Sequence, residues 1–180
     1  MKKLFLLFTL AFVAMSCEMG DEKLDDFIGR DDSSVATIPN NQIWYTSTDG
    51  KIVEPYSGIE NNYADFGVNI VSNTYVDGKG VIEFDGDVTT IGHYVFYRCR
   101  SLTSVTIPDS VTTIGEGAFY WCNSLTSVYC KAITPPAGGI YMFSDNASGR
   151  KIYVPMESVE AYKSASYWSE YADDIVGYNF

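Results

Sequence analysis

The sequence predicts an α/β fold: a short repeat solenoid of about four strands, with a β-hairpin cap before it and a helical cap after it. Three observations predict it. A block is written twice, as VTTIGHYVFYRCRSLTSV at 88–105 and VTTIGEGAFYWCNSLTSV at 111–128, with 13 of 18 positions identical at an offset of 23. Its strand pattern recurs at the same spacing on both sides. Hairpin signals precede it and a helix-start signal follows it. Self-similarity at a period of roughly 20–50 residues marks units that bury their apolar faces by stacking on one another.

The strands follow from counting. Leu102-Thr103-Ser104-Val105-Thr106-Ile107 alternates apolar and polar, so Val105 and Ile107 point inward. Adding 23 gives Val128 and Cys130, and subtracting 23 gives Ile82 and Phe84. A further step of 24 from Val128 gives Ile152 and Val154. Phe96 and Phe119 share a position, and 24 beyond Phe119 stands Phe143. Cys99 and Cys122 share another, and 24 beyond Cys122 stands Asn146. The last copy is worn, with Pro135-Pro136 and Gly138-Gly139 in place of Val-Thr-Thr-Ile-Gly.

The caps are read from turn and helix signals. Gln42–Thr46 and Lys51–Val53 flank Ser47-Thr48-Asp49-Gly50, and Val68–Tyr75 and Lys79–Phe84 flank Val76-Asp77-Gly78. Each Asp-Gly marks a β-hairpin turn. After Pro155, Met156–Ser164 reads as a helix with acidic residues in its first turn. Val159, Tyr162 and Trp168 are expected to close the last repeat.

The N-terminus carries an export signal. Lys2-Lys3 precedes the apolar run Leu4–Met15, which is interrupted only by Thr9. Twelve residues make about 18 Å of helix, short of the ~30 Å membrane core. Ala14-Met15-Ser16 then precedes Cys17. That arrangement resembles the lipobox of bacterial lipoproteins, which implies a diacylated Cys17 as the new N-terminus. The alternative is an ordinary cut near Ser16. The acidic stretch Glu18–Asp26, continued by Asp31-Asp32, lacks the apolar area to offset its ordering entropy and reads as a tether. It also resembles the export signal of lipoproteins carried to the outer face of some Gram-negative cells. The expected organisation is signal peptide 1–16, lipidated tether 17–38, N-terminal β cap 39–80, repeats 81–155 and helical cap 156–180.

The run Ile107-Pro108-Asp109-Ser110-Val111-Thr112-Thr113-Ile114-Gly115, with Ala118-Phe119, Cys122 and Leu125, resembles the BspA-like class of leucine-rich repeat. The resemblance covers residues 80–155. It implies a right-handed solenoid with a parallel sheet on one side, and contact with proteins or host matrix. It also implies that Cys99, Cys122 and Asn146 satisfy backbone groups inside the turns. A disulfide between Cys99 and Cys122 is the alternative, and Cys130 reads as a small core residue.

Charge and composition exclude several functions. Asp and Glu number 23 against 12 Lys and Arg, a net charge of −11. Such a surface repels nucleic acid and anionic membranes, leaving membrane contact to the anchor alone. His93 is the only histidine and falls at a variable, solvent-facing position, so no catalytic dyad or two-histidine metal site is expected. Gly115-Glu116-Gly117 is the repeat turn, not a phosphate loop. Asp85-Gly86-Asp87 reads as a turn, with a weak calcium site as its alternative. No enzyme activity, metal or cofactor is expected.

Binding candidates are the outward side chains. Glu83, Thr106, Tyr129 and Tyr153 stand on outward strand positions, and Tyr120 and Trp121 on outer turns. Exposed Tyr and Trp are enriched in binding patches. Two functions are open: a cell-surface binding or adhesion module for a protein ligand, and a carbohydrate-binding or accessory subunit of a surface complex.

Overall fold

The computed structural model describes residues 38–56 and 65–180. Their strands are β1 (Gln42–Ser47), β2 (Ile70–Val76), β3 (Lys79–Phe84), β4 (Thr90–Ile91), β5 (Leu102–Ile107), β6 (Thr113–Ile114), β7 (Ser127–Cys130), β8 (Ala137–Gly138), β9 (Lys151–Pro155) and β10 (Ile175–Tyr178). Helix α1 (Val159–Ser164) lies between 3-10 turns at Met156–Ser158 and Trp168–Asp174. The signal peptide, Cys17 and the acidic tether lie outside the described residues.

A seven-stranded sheet runs β10-β9-β7-β5-β1-β3-β2, and a three-stranded sheet runs β4-β6-β8. Strands β5, β7, β9 and β10 are parallel. Val105 pairs with Val128 and Val128 with Ile152, the predicted offsets of 23 and 24. The worn copy keeps its place, because Thr113 and Ile114 pair with Ala137 and Gly138. Gly138 replaces an isoleucine there, and Met142 replaces Ala118. The thioether lies where the missing side chain would have been. One volume offsets the other, which is why a swap of this kind is tolerated.

The sheet is mixed, which corrects the expectation of a purely parallel one. Strand β1 inserts antiparallel between β3 and β5, pairing Ile43 with Ile82 and Tyr45 with Val105. Ile82 and Phe84 are therefore separated from Val105 and Ile107 by β1. The β2–β3 hairpin forms as predicted, with Asp77 and Gly78 both at positive φ. The other hairpin does not. The Ser47 hydroxyl donates to Lys51 O at 2.8 Å and accepts from Lys51 N–H at 3.2 Å, curling the chain into a local turn. Val53 then gives its N–H to the Tyr45 hydroxyl at 3.1 Å instead of to a strand.

Three columns hold the stack together. Phe96, Phe119 and Phe143 lie ring on ring at 5.0 and 5.3 Å. Phe66 covers one end at 6.0 Å, and Trp168 and Tyr171 cover the other at 5.8 Å each. Beside them run Gly92, Gly115 and Gly139. A methyl on Gly115 would lie 2.7 Å from His93 N, and one on Gly139 would lie 2.3 Å from Glu116 N. Only glycine lets the backbones approach so closely.

The third column satisfies carbonyls. The Cys99 thiol faces Glu54 O at 3.6 Å, the Cys122 thiol donates to Phe96 O at 2.9 Å, and Asn146 Nδ2 donates to Phe119 O at 2.7 Å. All three cysteines among the described residues are free thiols, so the disulfide alternative is not realised. Burial pushes the Cys99 thiol up to about 12, which keeps it protonated and able to donate. The last carbonyl, Phe143 O, accepts from the Arg150 guanidinium, which also pairs with Asp174 at 2.6 Å. Arg150 is the only buried charged side chain among the described residues, and it ends the column at Phe143 O.

The C-terminal cap closes the stack as expected, with one addition. Tyr162 is buried and donates to Ala132 O at 2.7 Å, while Trp168 donates to Pro136 O at 2.7 Å. Val159 packs against the core. The addition is β10, whose Ile175 pairs with Ile152 at an offset of 23. The segment after Pro155 is therefore another strand-bearing unit in which helices replace the usual turn.

Candidate functional site

Outward side chains form two separate aromatic surfaces. On the large sheet the register aligns Val81, Trp44, Thr106, Tyr129, Tyr153 and Val176 in one row. Tyr129 and Tyr153 stack at 4.7 Å and 13°. Tyr178 meets both edge-on at 5.5 and 5.6 Å. Trp44 donates to Gln42 Oε1 at 2.8 Å and carries the Lys79 ammonium over its ring at 3.3 Å. Burial, then the neighbouring Tyr153 and Tyr178, raises the Tyr129 phenol, so it remains a donor at neutral pH.

The structure therefore unites Thr106, Tyr129 and Tyr153. Glu83 lies one row away, opposite Gln42, and accepts from the Ser72 hydroxyl at 3.3 Å. Trp44, Tyr178 and Phe180 join this surface without having been singled out from the sequence. Trp44 was legible in principle, because Ile43 and Tyr45 point inward and a strand alternates.

The second surface lies on the turns. Three successive turns each place two residues at positive φ, four apart: Tyr94 and Arg98, Gly117 and Trp121, Tyr141 and Asp145. A left-handed L-residue costs about 1–2 kcal/mol. Its recurrence in three successive turns makes it part of the turn, leaving the side chain free to vary. Gly117 is the exception for space, since the Tyr94 ring lies 2.3 Å from where a methyl would stand.

Those turns carry a ladder of rings. Tyr120 stacks on Tyr97 at 5.9 Å and meets Tyr141 at 6.0 Å. Trp121 lies 6.2 Å from Tyr97 and 17° from parallel. Tyr56 and Tyr94 meet Tyr97 edge-on at 6.1 and 5.8 Å. The Arg98 guanidinium sits over Trp121 at 4.3 Å, and the Trp121 indole donates to Asp145 at 3.0 Å. Tyr56, Tyr94, Tyr97 and Tyr120 line a shallow cavity of about 350 Å³. Tyr141 is 54% exposed and Tyr56 46%.

Tyr120 and Trp121 thus belong to a different surface from Tyr129 and Tyr153. Tyr56 and Tyr141 were not singled out, although Tyr141 stands 24 residues after Gly117 at the position of the first left-handed residue. Positions that differ between copies touch each other here. His93 Nδ1 accepts from Glu116 N–H at 3.1 Å, and the Tyr94 hydroxyl reaches the Glu116 carboxylate.

The acidic turn is used internally. Asp85 accepts from Asn69 N–H at 2.9 Å and from its side-chain amide at 2.8 Å, which holds the carboxyl below its ordinary range. Among the described residues no three His, Cys, Asp or Glu side chains are grouped to hold a metal. No helix of the described residues is long and apolar enough to cross a membrane.

A search of curated proteins finds no match. Residues 79–171 match the family described as the BspA type leucine rich repeat region, in six copies. The match runs past the predicted end of the repeats at Pro155, takes in α1 and ends within the 3-10 turn after it. With more than half of its length so matched, the chain belongs to the BspA-type leucine-rich repeat family.

Proposed function

We propose that this protein is a non-catalytic binding module, held at a bacterial surface by lipid on Cys17, whose turn-side tyrosine ladder grips a protein partner. The repeats wind as a short right-handed solenoid that presents the ladder. Leucine-rich repeats generally mediate protein–protein interaction, which sets the class of ligand. The ladder is the observation that carries the reading. It offers Tyr, Trp and Arg, the side chains that dominate protein interfaces, as one continuous surface across successive turns. The rings already stack on one another, so little side-chain freedom remains to be lost on binding. Export and anchoring rest on Lys2-Lys3, the apolar run Leu4–Met15 and Cys17. Host-matrix adhesion is the expected use of such a module.

A photo-crosslinking residue at position 141 is expected to capture one discrete protein from the surface the cells adhere to. The same residue at 133, where Ile133 is 65% exposed off the ladder, is expected to capture none. Equal capture at both positions, or at neither, removes the reading. For the anchor, mass spectrometry of the mature N-terminus is expected to show acylated Cys17, and an unmodified cysteine refutes it.

A further inference from the structure

The geometry points to a second ligand site, on the sheet face rather than the ladder: a slot over Thr106 that takes a sugar acid, a pyranose ring bearing a carboxylate. The slot exists because the aligned row contains one small side chain between large ones. Trp44 and Tyr129 flank Thr106 on the neighbouring strands. With strands about 4.8 Å apart, the two walls rise roughly 10 Å from each other at the backbone, which leaves a ring-wide gap. Tyr178 and Phe180 close its end. The cavity measures about 240 Å³. That is smaller than the roughly 300–1,000 Å³ of ordinary small-molecule pockets and suits a single ring.

The walls specify the chemistry. Aromatic rings offer flat apolar faces for the C–H face of a pyranose. The Tyr129–Tyr153 stack, braced edge-on by Tyr178, holds those faces in place before any ligand arrives. Thr106, Tyr129, Tyr178 and Asn179 bring hydroxyl and amide groups to the rim for sugar hydroxyls. Lys131 is the one charged side chain that lines the slot, and it stands 5.6 Å from the Phe180 ring. Lys79 lies over Trp44, whereas Lys151, two residues from Tyr153 on β9, donates to Asp173 O at 3.3 Å.

In a chain where acids outnumber bases by 23 to 12, Lys131 lines the slot and Lys79 lies against the Trp44 ring, while Glu83 one row away accepts from Ser72. An anionic group on the ligand matches that local charge. The acidic remainder of the surface is screened beyond about 8 Å at physiological salt. A neutral sugar would leave Lys131 unused. A peptide carboxylate would use Lys131 but would offer no ring for the slot.

Calorimetric titration of the full chain with glucuronic acid, glucose, acetate and a short glutamate peptide tests the site. Glucuronic acid is expected to bind in about the millimolar range and at least tenfold more tightly than glucose, as one charge-assisted hydrogen bond provides. Acetate and the peptide are expected to bind more weakly than glucuronic acid. Lys131→Met should reduce glucuronic acid to the level of glucose. Thr106→Tyr should abolish binding of both, while circular dichroism stays native. Tyrosine already occupies the equivalent position at 129, so the fold accepts it. The site is refuted by equal affinity for glucose and glucuronic acid, by binding that survives Thr106→Tyr, by tighter binding of the peptide, or by no saturable binding of glucuronic acid. Crosslinking from position 141 should be unchanged by Thr106→Tyr, which separates this site from the ladder.

Discussion

Gly139→Ala is expected to lower the free energy of unfolding by about 3 kcal/mol or more. The added methyl would lie 2.3 Å from Glu116 N and 2.6 Å from Gly115 C. Both are backbone atoms, and neither can rotate away as a side chain would. The last repeat would have to lift off its neighbour, weakening the β6–β8 pairing and the Phe143 contact with Phe119 together. Gly149→Ala provides the comparison, because Gly149 has φ +77 and nothing within 4 Å of an added methyl. It should lose only about 1 kcal/mol, from the left-handed backbone alone. Urea denaturation of the two variants measures the difference. Equal losses would show that the glycine column serves backbone conformation and not close approach.

Phe119→Ala is expected to cost about 3–5 kcal/mol. Phe119 is fully buried and stacks on a ring above and a ring below. Removing it opens a cavity between two repeats whose spacing is fixed by the neighbouring glycines, so the site cannot collapse. Phe119→Leu keeps most of the volume and should cost less than about 1.5 kcal/mol. A loss below about 2 kcal/mol for the alanine variant, read from the same denaturation curves, would mean that the phenylalanine column does not carry the stack.

Much of this architecture is written in the spacing. Offsets of 23 and 24 place Val105, Val128 and Ile152 side by side, and they place the Cys99, Cys122 and Asn146 column correctly. Those features are legible because each repeat contacts only its neighbours, so a one-dimensional count maps onto a one-dimensional stack. What breaks that regularity escapes the count. Strand β1 pairs with residues about forty positions away on β3 and about sixty away on β5, and its Ile43/Tyr45 alternation fits any sheet edge equally well. Strand β10 does keep the offset, from Ile152 to Ile175, but helical turns fill the intervening unit and hide the pattern. Arg150 gave no signal at all, because its role comes from a carbonyl left over when the column ends.

The candidate surfaces were legible in the same uneven way. Outward alternation found Thr106, Tyr129 and Tyr153, which the structure unites. Tyr120 and Trp121 were read on the outer turns, and there they form a separate surface. Trp44 joins the sheet row only through the insertion of β1. Tyr56 joins the ladder only through the path of the loop after it curls at Ser47, where its N–H donates to Val95 O at 2.6 Å.

Binding through the ladder is tested by one titration. A protein captured by crosslinking from position 141 is titrated against the parent chain, a Tyr97→Ser/Tyr120→Ser variant and the Thr106→Tyr variant. The double substitution is expected to weaken binding at least tenfold, about 1.4 kcal/mol, while Thr106→Tyr leaves it unchanged. Unchanged affinity in the double variant, with its native circular dichroism retained, would contradict it.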